Sequence, residues 1–88
     1  MLLEGKNAII YGGGGNIGGA VARAFAAEGA TVHLAGRTLS TLEGVATPIR
    51  DEGGKATVAE VDALDEIAVD AHADGIVSDH GSLDISMN

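Results

Sequence analysis

The chain has 88 residues, of which 45% are hydrophobic and only 2% aromatic, so it can form one small domain with a core of Ala, Val, Ile and Leu. Its formal net charge of −8, from 13 acidic and 5 basic residues, argues against nucleic acid or an anionic membrane surface as a partner. The absence of cysteine excludes a disulfide framework, and no signal peptide or membrane-spanning run is recognisable, so we predict a cytoplasmic protein.

Short apolar runs alternate with segments of helical spacing along the whole chain. In chain order, strands are predicted at residues 6–11, 30–35, 56–61 and 83–87, and helices at residues 16–28, 39–52 and 65–80. Glycines follow the predicted helices at Gly29, Gly53 and Gly81. The order β-α-β-α-β-α-β predicts the first half of a Rossmann-type α/β fold, a doubly wound parallel sheet with strand order 3-2-1-4.

The first two predicted helices each carry one apolar stripe. The stripe of the first helix contains Ile17, Ala20, Val21, Ala24 and Phe25. The stripe of the second contains Leu39, Leu42, Val45, Ala46 and Ile49. Pro48 lacks a backbone donor, and its ring would crowd the carbonyl of Gly44, which predicts a kink or an interruption near Thr47.

A glycine-rich turn, Y-G-G-G-G-N-I-G-G-A, joins the first strand to the first helix. The spacing G-x-G-x-x-G is matched by Gly13, Gly15 and Gly18, and G-x-x-G-x-x-G by Gly12, Gly15 and Gly18. Glycine lets a diphosphate approach the backbone, and the helix N-terminus that follows favours an anion at the same place. A glycine run alone fits a flexible loop or a tight turn equally well. The preceding strand and the following helix favour a dinucleotide site.

The end of the second strand bears on which dinucleotide is bound. In a dinucleotide-binding fold an acidic residue at this place selects the free 2′-hydroxyl of NAD. Here Gly36 stands at that position and Arg37 follows, with Thr38 next. Gly36 leaves room for a 2′-phosphate, and Arg37 can form a forked contact with it, so we predict a preference for NADP. The alternative is that Arg37 is a solvated loop residue.

These motifs together resemble the short-chain dehydrogenases/reductases over nearly the whole chain. The segments that carry the resemblance are L-E-G-K-N-A-I-I, the glycine loop, A-A-E-G-A-T-V, L-A-G-R-T, G-G-K-A, V-D-A-L-D and H-G-S-L-D-I. The resemblance implies that Asp62 contacts the adenine ring through its carboxylate and Ala63 through its backbone. Without the resemblance, Asp62 reads as a turn or cap residue at a strand end. The candidate cofactor-binding residues are Gly12, Gly14, Gly15, Asn16, Ile17, Gly18, Gly36, Arg37, Thr38, Asp62, Ala63 and Asn88.

The chain departs from the pattern of that family in two respects. Many members have T-G-x-x-x-G-x-G, whereas this chain has Tyr11 for the threonine and Asn16 for the middle glycine. Asn16 is a good N-cap, but its side chain could crowd the diphosphate. The family's asparagine-alanine-glycine segment would begin at Asn88, and its catalytic serine, tyrosine and lysine would follow. We therefore assign no catalytic residue and expect a Rossmann domain over residues 1–88, truncated after the fourth strand and inactive by itself.

The histidines and the acidic residues of the third helix have structural explanations. His33, His72 and His80 have no second ligand at a spacing typical of metal sites, so they are interpreted as core or surface residues and no metal is predicted. The outer face of the third helix is predicted to carry Asp65, Glu66, Asp70, Asp74 and Asp79 in contact with water.

The sequence thus predicts the NADP(H)-binding portion of a reductase that transfers hydride between NADP(H) and a carbonyl or alcohol substrate when complete. By resemblance, the complete protein is expected to be a homo-oligomer. One alternative is a non-catalytic nucleotide-binding module, complete as given, that dimerises through the open edge of its fourth strand. Another is a transferase that binds S-adenosylmethionine with a similar glycine loop, although such a protein has no use for Gly36 and Arg37.

Overall fold

Four strands and three helices alternate along the chain in the computed structural model, which describes residues 2–12 and 15–87. The elements are β1 (Asn7–Tyr11), α1 (Asn16–Ala27), β2 (Thr31–Gly36), α2 (Leu39–Asp51), β3 (Lys55–Glu60), α3 (Glu66–His80) and β4 (Ile85–Met87). The strands form one parallel sheet in the order β3-β2-β1-β4. The predicted Rossmann-type topology is confirmed, and the predicted ends of the elements differ from the observed ones by one or two residues.

The face of the sheet that packs against α1 and α2 forms the main apolar core. Alternate residues of the strands point to this face, among them Ile10, Val32 and Leu34, all fully buried. Four residues of the predicted α2 stripe, Leu42, Val45, Ala46 and Ile49, pack against them, whereas Leu39 is exposed. The described residues buried in this core are all Ala, Val, Ile or Leu, and Phe25 packs against them half-buried.

The stripe predicted for α1 is only partly correct. Val21 and Phe25 are half-buried against the core, but Ile17 is 80% exposed. The buried residues of α1 are Gly19 and Ala22. Spacings of three and four fit more than one face of a helix rich in Gly and Ala, and the smallest side chains allow the closest approach to the sheet. The expected stripe residues Ala20 and Ala24 are also exposed.

A kink or an interruption was predicted near Thr47, and the interruption is wrong because helix α2 continues unbroken past Pro48 to Asp51. Leu42, Val45, Ala46 and Ile49 hold the helix against the sheet on both sides of the proline. Tertiary packing outweighs the loss of one backbone hydrogen bond here.

A chain of polar side chains crosses the opposite face of the sheet, beneath α3. His33 is 1% exposed, and its Nδ1 and Nε2 lie 2.8 Å from Thr57 Oγ1 and 3.1 Å from Asn7 Oδ1. Because Asn7 Oδ1 only accepts, His33 Nε2 carries the proton and Nδ1 accepts from the Thr57 hydroxyl. Asn7 Nδ2 donates to Ser82 Oγ, whose hydroxyl donates to Asp84 Oδ2. We call these five side chains the polar chain.

Two helices end in the same glycine motif. After α1, the amides of Gly29 and Ala30 donate to the carbonyls of Ala26 and Phe25, a Schellman arrangement with Gly29 at a φ of +96°. After α2, Gly53 takes the equivalent position at a φ of +88°. The two sites differ in their surroundings. A Cβ on Gly29 would lie 2.9 Å from the Cα of Glu4, whereas one on Gly53 would meet nothing within 4 Å.

This difference predicts unequal losses of stability for the same substitution. Gly53→Ala is expected to lower the free energy of unfolding by about 1–2 kcal/mol, because alanine is strained at a positive φ. Gly29→Ala adds overlap with the backbone of Glu4, so the loss should be about 2–4 kcal/mol. Urea unfolding followed by circular dichroism measures both. Equal losses would show that the close approach of residue 4 to the end of α1 does not constrain position 29.

Candidate cofactor site

The turn after β1 is closed by backbone hydrogen bonds. Gly12 has a φ of +71°, and its amide donates to the carbonyl of Ala35 in β2, at 2.7 Å. The amide of Gly15 donates to the carbonyl of Gly12 at 3.0 Å, and that of Gly19 to the carbonyl of Gly15 at 2.8 Å. These hydrogen bonds tie Gly12 to β2 and to the start of α1. The predicted site residue Gly14 lies outside the described residues, as does Asn88.

The space in front of this turn is open. A Cβ on Gly12 would meet no atom of the described residues within 4 Å, although its φ disfavours any L side chain, and one on Gly15 would lie 3.5 Å from the carbonyl oxygen of Gly12. Gly15 is the N-cap of α1 and provides no side-chain hydrogen bond to the first helical amides. The first helical amides thus receive no side-chain cap, and uncapped amides at a helix N-terminus are the kind of group that binds anions.

Asn16 is the first helical residue of α1, so its predicted role as N-cap is wrong. The extended backbone of Gly15, with φ −79° and ψ 168°, already has N-cap geometry. The hydrogen bond from Gly15 to Gly12 fixes where the helix begins, and this constraint outweighs the usual preference for asparagine at the N-cap.

A cavity of about 260 Å³ lies between the glycine turn and the start of α2. Its lining residues are Gly12, Gly15, Gly36, Arg37, Thr38, Thr41 and Leu42. Gly36 ends β2, and a Cβ there would approach Leu42 Cδ2 to 3.4 Å. Thr38 is the N-cap of α2, as predicted, but its hydroxyl makes no capping hydrogen bond. The cavity that reaches the glycine turn is thus also bordered by Arg37, which carries a guanidinium, and by Thr38 and Thr41, which carry hydroxyl groups.

A second cavity, of about 460 Å³, lies on the other side of the turn towards β4. Its lining residues are Tyr11, Gly12, Gly15, Asn16, Ile17, Gly18 and Met87. Burial, with a smaller contribution from the nearby carboxylate of Asp70, raises the pKa of Tyr11, so its phenol stays protonated at neutral pH. The two cavities flank Gly12 and Gly15 and follow the carboxyl edge of the sheet, where ligands of this fold class bind.

Arg37 and Asp62 are in direct contact at the ends of β2 and β3. Arg37 Nη2 lies 3.4 Å from Asp62 Oδ1, and the side chains are 69% and 50% exposed. Asp62 Oδ1 also accepts from the amide of Leu64 at 2.9 Å, so the residue does form a turn. Ala63 is exposed in this turn and lines neither of the two cavities beside the glycine turn.

Four residues beside the turn were not among the predicted site residues. They are Tyr11, Thr41, Leu42 and Met87. Thr41 follows Thr38 by three residues, which places both on one side of the first turn of α2, so helical spacing could have identified it. Met87 could not be found in this way, because its proximity depends on the pairing of β4 with β1.

The histidines lie together on the α3 side of the sheet. His33 and His80 have ring centroids 4.7 Å apart in an edge-to-face arrangement. The buried Nδ1 of His72 has no hydrogen-bond partner among the described residues. Within residues 2–12 and 15–87, no group of three His, Cys, Asp or Glu side chains is placed to hold a metal ion. In the same part of the chain, no helix has both the length and the apolar character needed to cross a membrane.

A parallel sheet of order β3-β2-β1-β4 with a glycine turn between β1 and α1 defines a Rossmann-type domain. The family model for the short chain dehydrogenases matches residues 6–88, and the chain belongs to this family. An uncharacterised oxidoreductase of Mycobacterium tuberculosis is 42% identical over 89 residues, which cover 98% of this chain and 26% of the relative.

Two solved structures illustrate the range of cofactors in similar proteins. A metagenomic short-chain oxidoreductase in complex with NADP has a TM-score of 0.93 and 32% identity, and the match covers 98% of this chain and 39% of that one. An NAD⁺-bound xylitol dehydrogenase has a TM-score of 0.91 and 32% identity, and the match covers 98% of this chain and 33% of that one. The chain therefore spans between a quarter and two fifths of the length of these three proteins.

Proposed function

We propose that this chain is the NADP(H)-binding part of a short-chain oxidoreductase. The observation that carries the proposal is the cavity shared by the glycine turn and Arg37. A dinucleotide with its diphosphate at the turn would extend its adenosine ribose towards the end of β2. Gly36 brings no side chain there, and the guanidinium of Arg37 offers a charge-assisted contact for a 2′-phosphate. With a net charge of −8, the chain needs such local contacts to hold an anion.

The remaining proposed contacts divide between the two cavities. Gly12, Gly14 and Gly15 would hold the diphosphate with the first amides of α1, and Asn16, Ile17 and Gly18 would border it. Thr38 would offer its hydroxyl to the 2′-phosphate. Asp62 and Ala63 would contact the adenine, and Asn88 would lie at the end of β4.

The complete protein would transfer hydride between NADP(H) and a carbonyl or alcohol substrate. The nicotinamide supplies or accepts the hydride when the cofactor is bound. The residues described here bind and orient the dinucleotide, and we assign none of them to proton transfer. A homo-oligomeric state of the complete protein and a cytoplasmic location belong to the same proposal.

Calorimetric titration of the chain with NADPH tests the proposal. We expect binding that is weakened about ten- to hundredfold by Gly12→Ala, because a strained turn loses amide contacts to phosphate worth about 1.5–3 kcal/mol each. Gly53→Ala is the matched control, since Gly53 also has a positive φ and open surroundings but lies at the other end of α2. Absence of NADPH binding by the folded chain, or equal losses in both variants, would contradict the proposal.

A second candidate function is a non-catalytic module that dimerises through β4. Among the described residues, β4 pairs only with β1, which leaves its other edge available for another strand. Sedimentation of the chain as a stable dimer that does not bind NADPH would favour this module. S-adenosylmethionine displacing bound NADPH at equal concentration would instead favour a transferase.

A further inference from the structure

The side chains proposed to recognise two different parts of the cofactor contact each other in the free chain. Arg37 Nη2 donates to Asp62 Oδ1 at 3.4 Å. The hydrogen bond from the amide of Leu64, at 2.9 Å, holds the same carboxylate oxygen at the end of β3. The guanidinium of Arg37 therefore already has a counter-charge where it borders the cavity beside the glycine turn.

We propose that Asp62 is a second determinant of the choice between NADP and NAD, and that it acts through Arg37. This inference rests on the proposed function. The Asp62 carboxylate and a 2′-phosphate are two anions that compete for one guanidinium. NADP must share Arg37 with Asp62 or displace Asp62 from it, whereas NAD binds without disturbing the pair. Asp62 thus lowers the preference for NADP below the value that Arg37 alone would give.

The size of the effect follows from the exposure of the pair. Both side chains are at least half exposed, so water screens the ion pair and its effect on cofactor choice is small. The guanidinium has five N–H donors, so it can keep part of its contact with Asp62 while it binds a phosphate. Neutralising Asp62 should therefore raise the preference for NADP about two- to fivefold.

The test compares the dissociation constants of NADPH and NADH in four chains: the unaltered chain, Asp62→Asn, Arg37→Met and the double variant. Asparagine removes the charge but keeps an oxygen that accepts from the Leu64 amide. Any change in the adenine contact affects both cofactors and cancels in the ratio of their dissociation constants. We expect Asp62→Asn to shift this ratio two- to fivefold towards NADPH, and to leave it unchanged when Arg37 is methionine.

Two further variants separate this effect from a general change of charge. Asp62→Glu keeps the carboxylate and should leave the ratio near its original value. Glu66→Gln removes an exposed carboxylate in the first turn of α3 and should not alter the ratio. An unchanged ratio in Asp62→Asn would overturn the inference. An equal shift when Arg37 is methionine would also overturn it, because Asp62 would then repel the phosphate directly.

Failure of this inference is distinguishable from failure of the proposed function. If the folded chain binds neither dinucleotide, the proposed function is wrong. If it binds both equally and Arg37→Met has no effect, the proposed preference for NADP is wrong. If NADPH is preferred through Arg37 and the ratio does not respond to Asp62→Asn, only the role of Asp62 is wrong.

Discussion

Replacing Arg37 with methionine is expected to weaken NADPH binding about ten- to hundredfold and to leave NADH binding within about twofold. Methionine retains most of the aliphatic length but removes the guanidinium, and a hydrogen bond to a charged group contributes about 1.5–3 kcal/mol. The ion pair with Asp62 competes with the phosphate for Arg37 and so reduces the net contribution of Arg37 to NADPH affinity. At moderate salt we therefore expect a loss in the lower part of the ten- to hundredfold range. Titration with the two reduced cofactors measures both affinities.

Arg23→Met is the matched control for that substitution. Arg23 is an exposed arginine of α1 that lines a separate cavity near the starts of the strands, so its loss changes the net charge equally at a distance from the turn. Adenosine 2′,5′-bisphosphate is a useful second ligand, because it carries the 2′-phosphate without the nicotinamide. Equal losses for NADPH and NADH in Arg37→Met would mean that Arg37 does not recognise the 2′-phosphate.

Acidification from pH 6.5 to pH 4 is expected to lower the free energy of unfolding by up to about 3 kcal/mol. Burial, with smaller contributions from the charges of His80 and His72, lowers the pKa of His33 from 6.5 to about 4. The folded state therefore favours neutral His33. The stability that this preference provides is fully present above pH 6.5 and is lost as the pH falls below 6.5, where His33 takes up a proton in the unfolded chain. Urea unfolding at a series of pH values measures the change.

A non-titrating residue at position 33 tests the assignment. His33→Gln retains a donor and an acceptor, so its stability should change less between pH 6.5 and pH 4 than that of the unaltered chain. Burial also lowers the pKa of His72, so the free energy of unfolding of the variant should still fall with decreasing pH, but less steeply. Hydrogen bonds from the Asn7 amide and Ser82 lower the pKa of Asp84, so its stabilising effect is lost only below the usual carboxyl range. If His33→Gln and the unaltered chain lost stability identically with falling pH, His33 would not be the source of the loss.

Much of the architecture could be predicted from the sequence because its local signals agree. Alternating periodicities identify β1 to β3 and the three helices, and glycines mark where α1 and α2 end. Asp65, the first residue of the third predicted helix, is the N-cap of α3, and its side chain accepts from the amide of Ala68. The five acidic residues assigned to the outer face of α3 are exposed. These features depend on residues close in sequence, for which propensity and spacing are direct guides.

The failures of prediction concern positions where tertiary contacts decide. The N-cap of α1 is Gly15 rather than Asn16 because of a hydrogen bond between Gly15 and Gly12, and the buried face of α1 depends on close contact with the sheet. Pro48 is tolerated because α2 is packed on both sides of it. The pairing of Arg37 with Asp62 spans 25 residues and requires β2 and β3 to lie in register. Single-sequence patterns carry no information of this kind.

The polar chain has a further consequence for the assembly of the sheet. In a parallel sheet, a shift of one residue between neighbouring strands moves every side chain to the opposite face. A shift of β2 would carry His33 into the apolar core and remove the hydrogen bonds that it makes with the buried Asn7 and the half-buried Thr57. Unpartnered buried polar groups cost about 1–3 kcal/mol each. The apolar residues of β2 could fill either face, so these hydrogen bonds select one alignment of the strands and disfavour slipped ones.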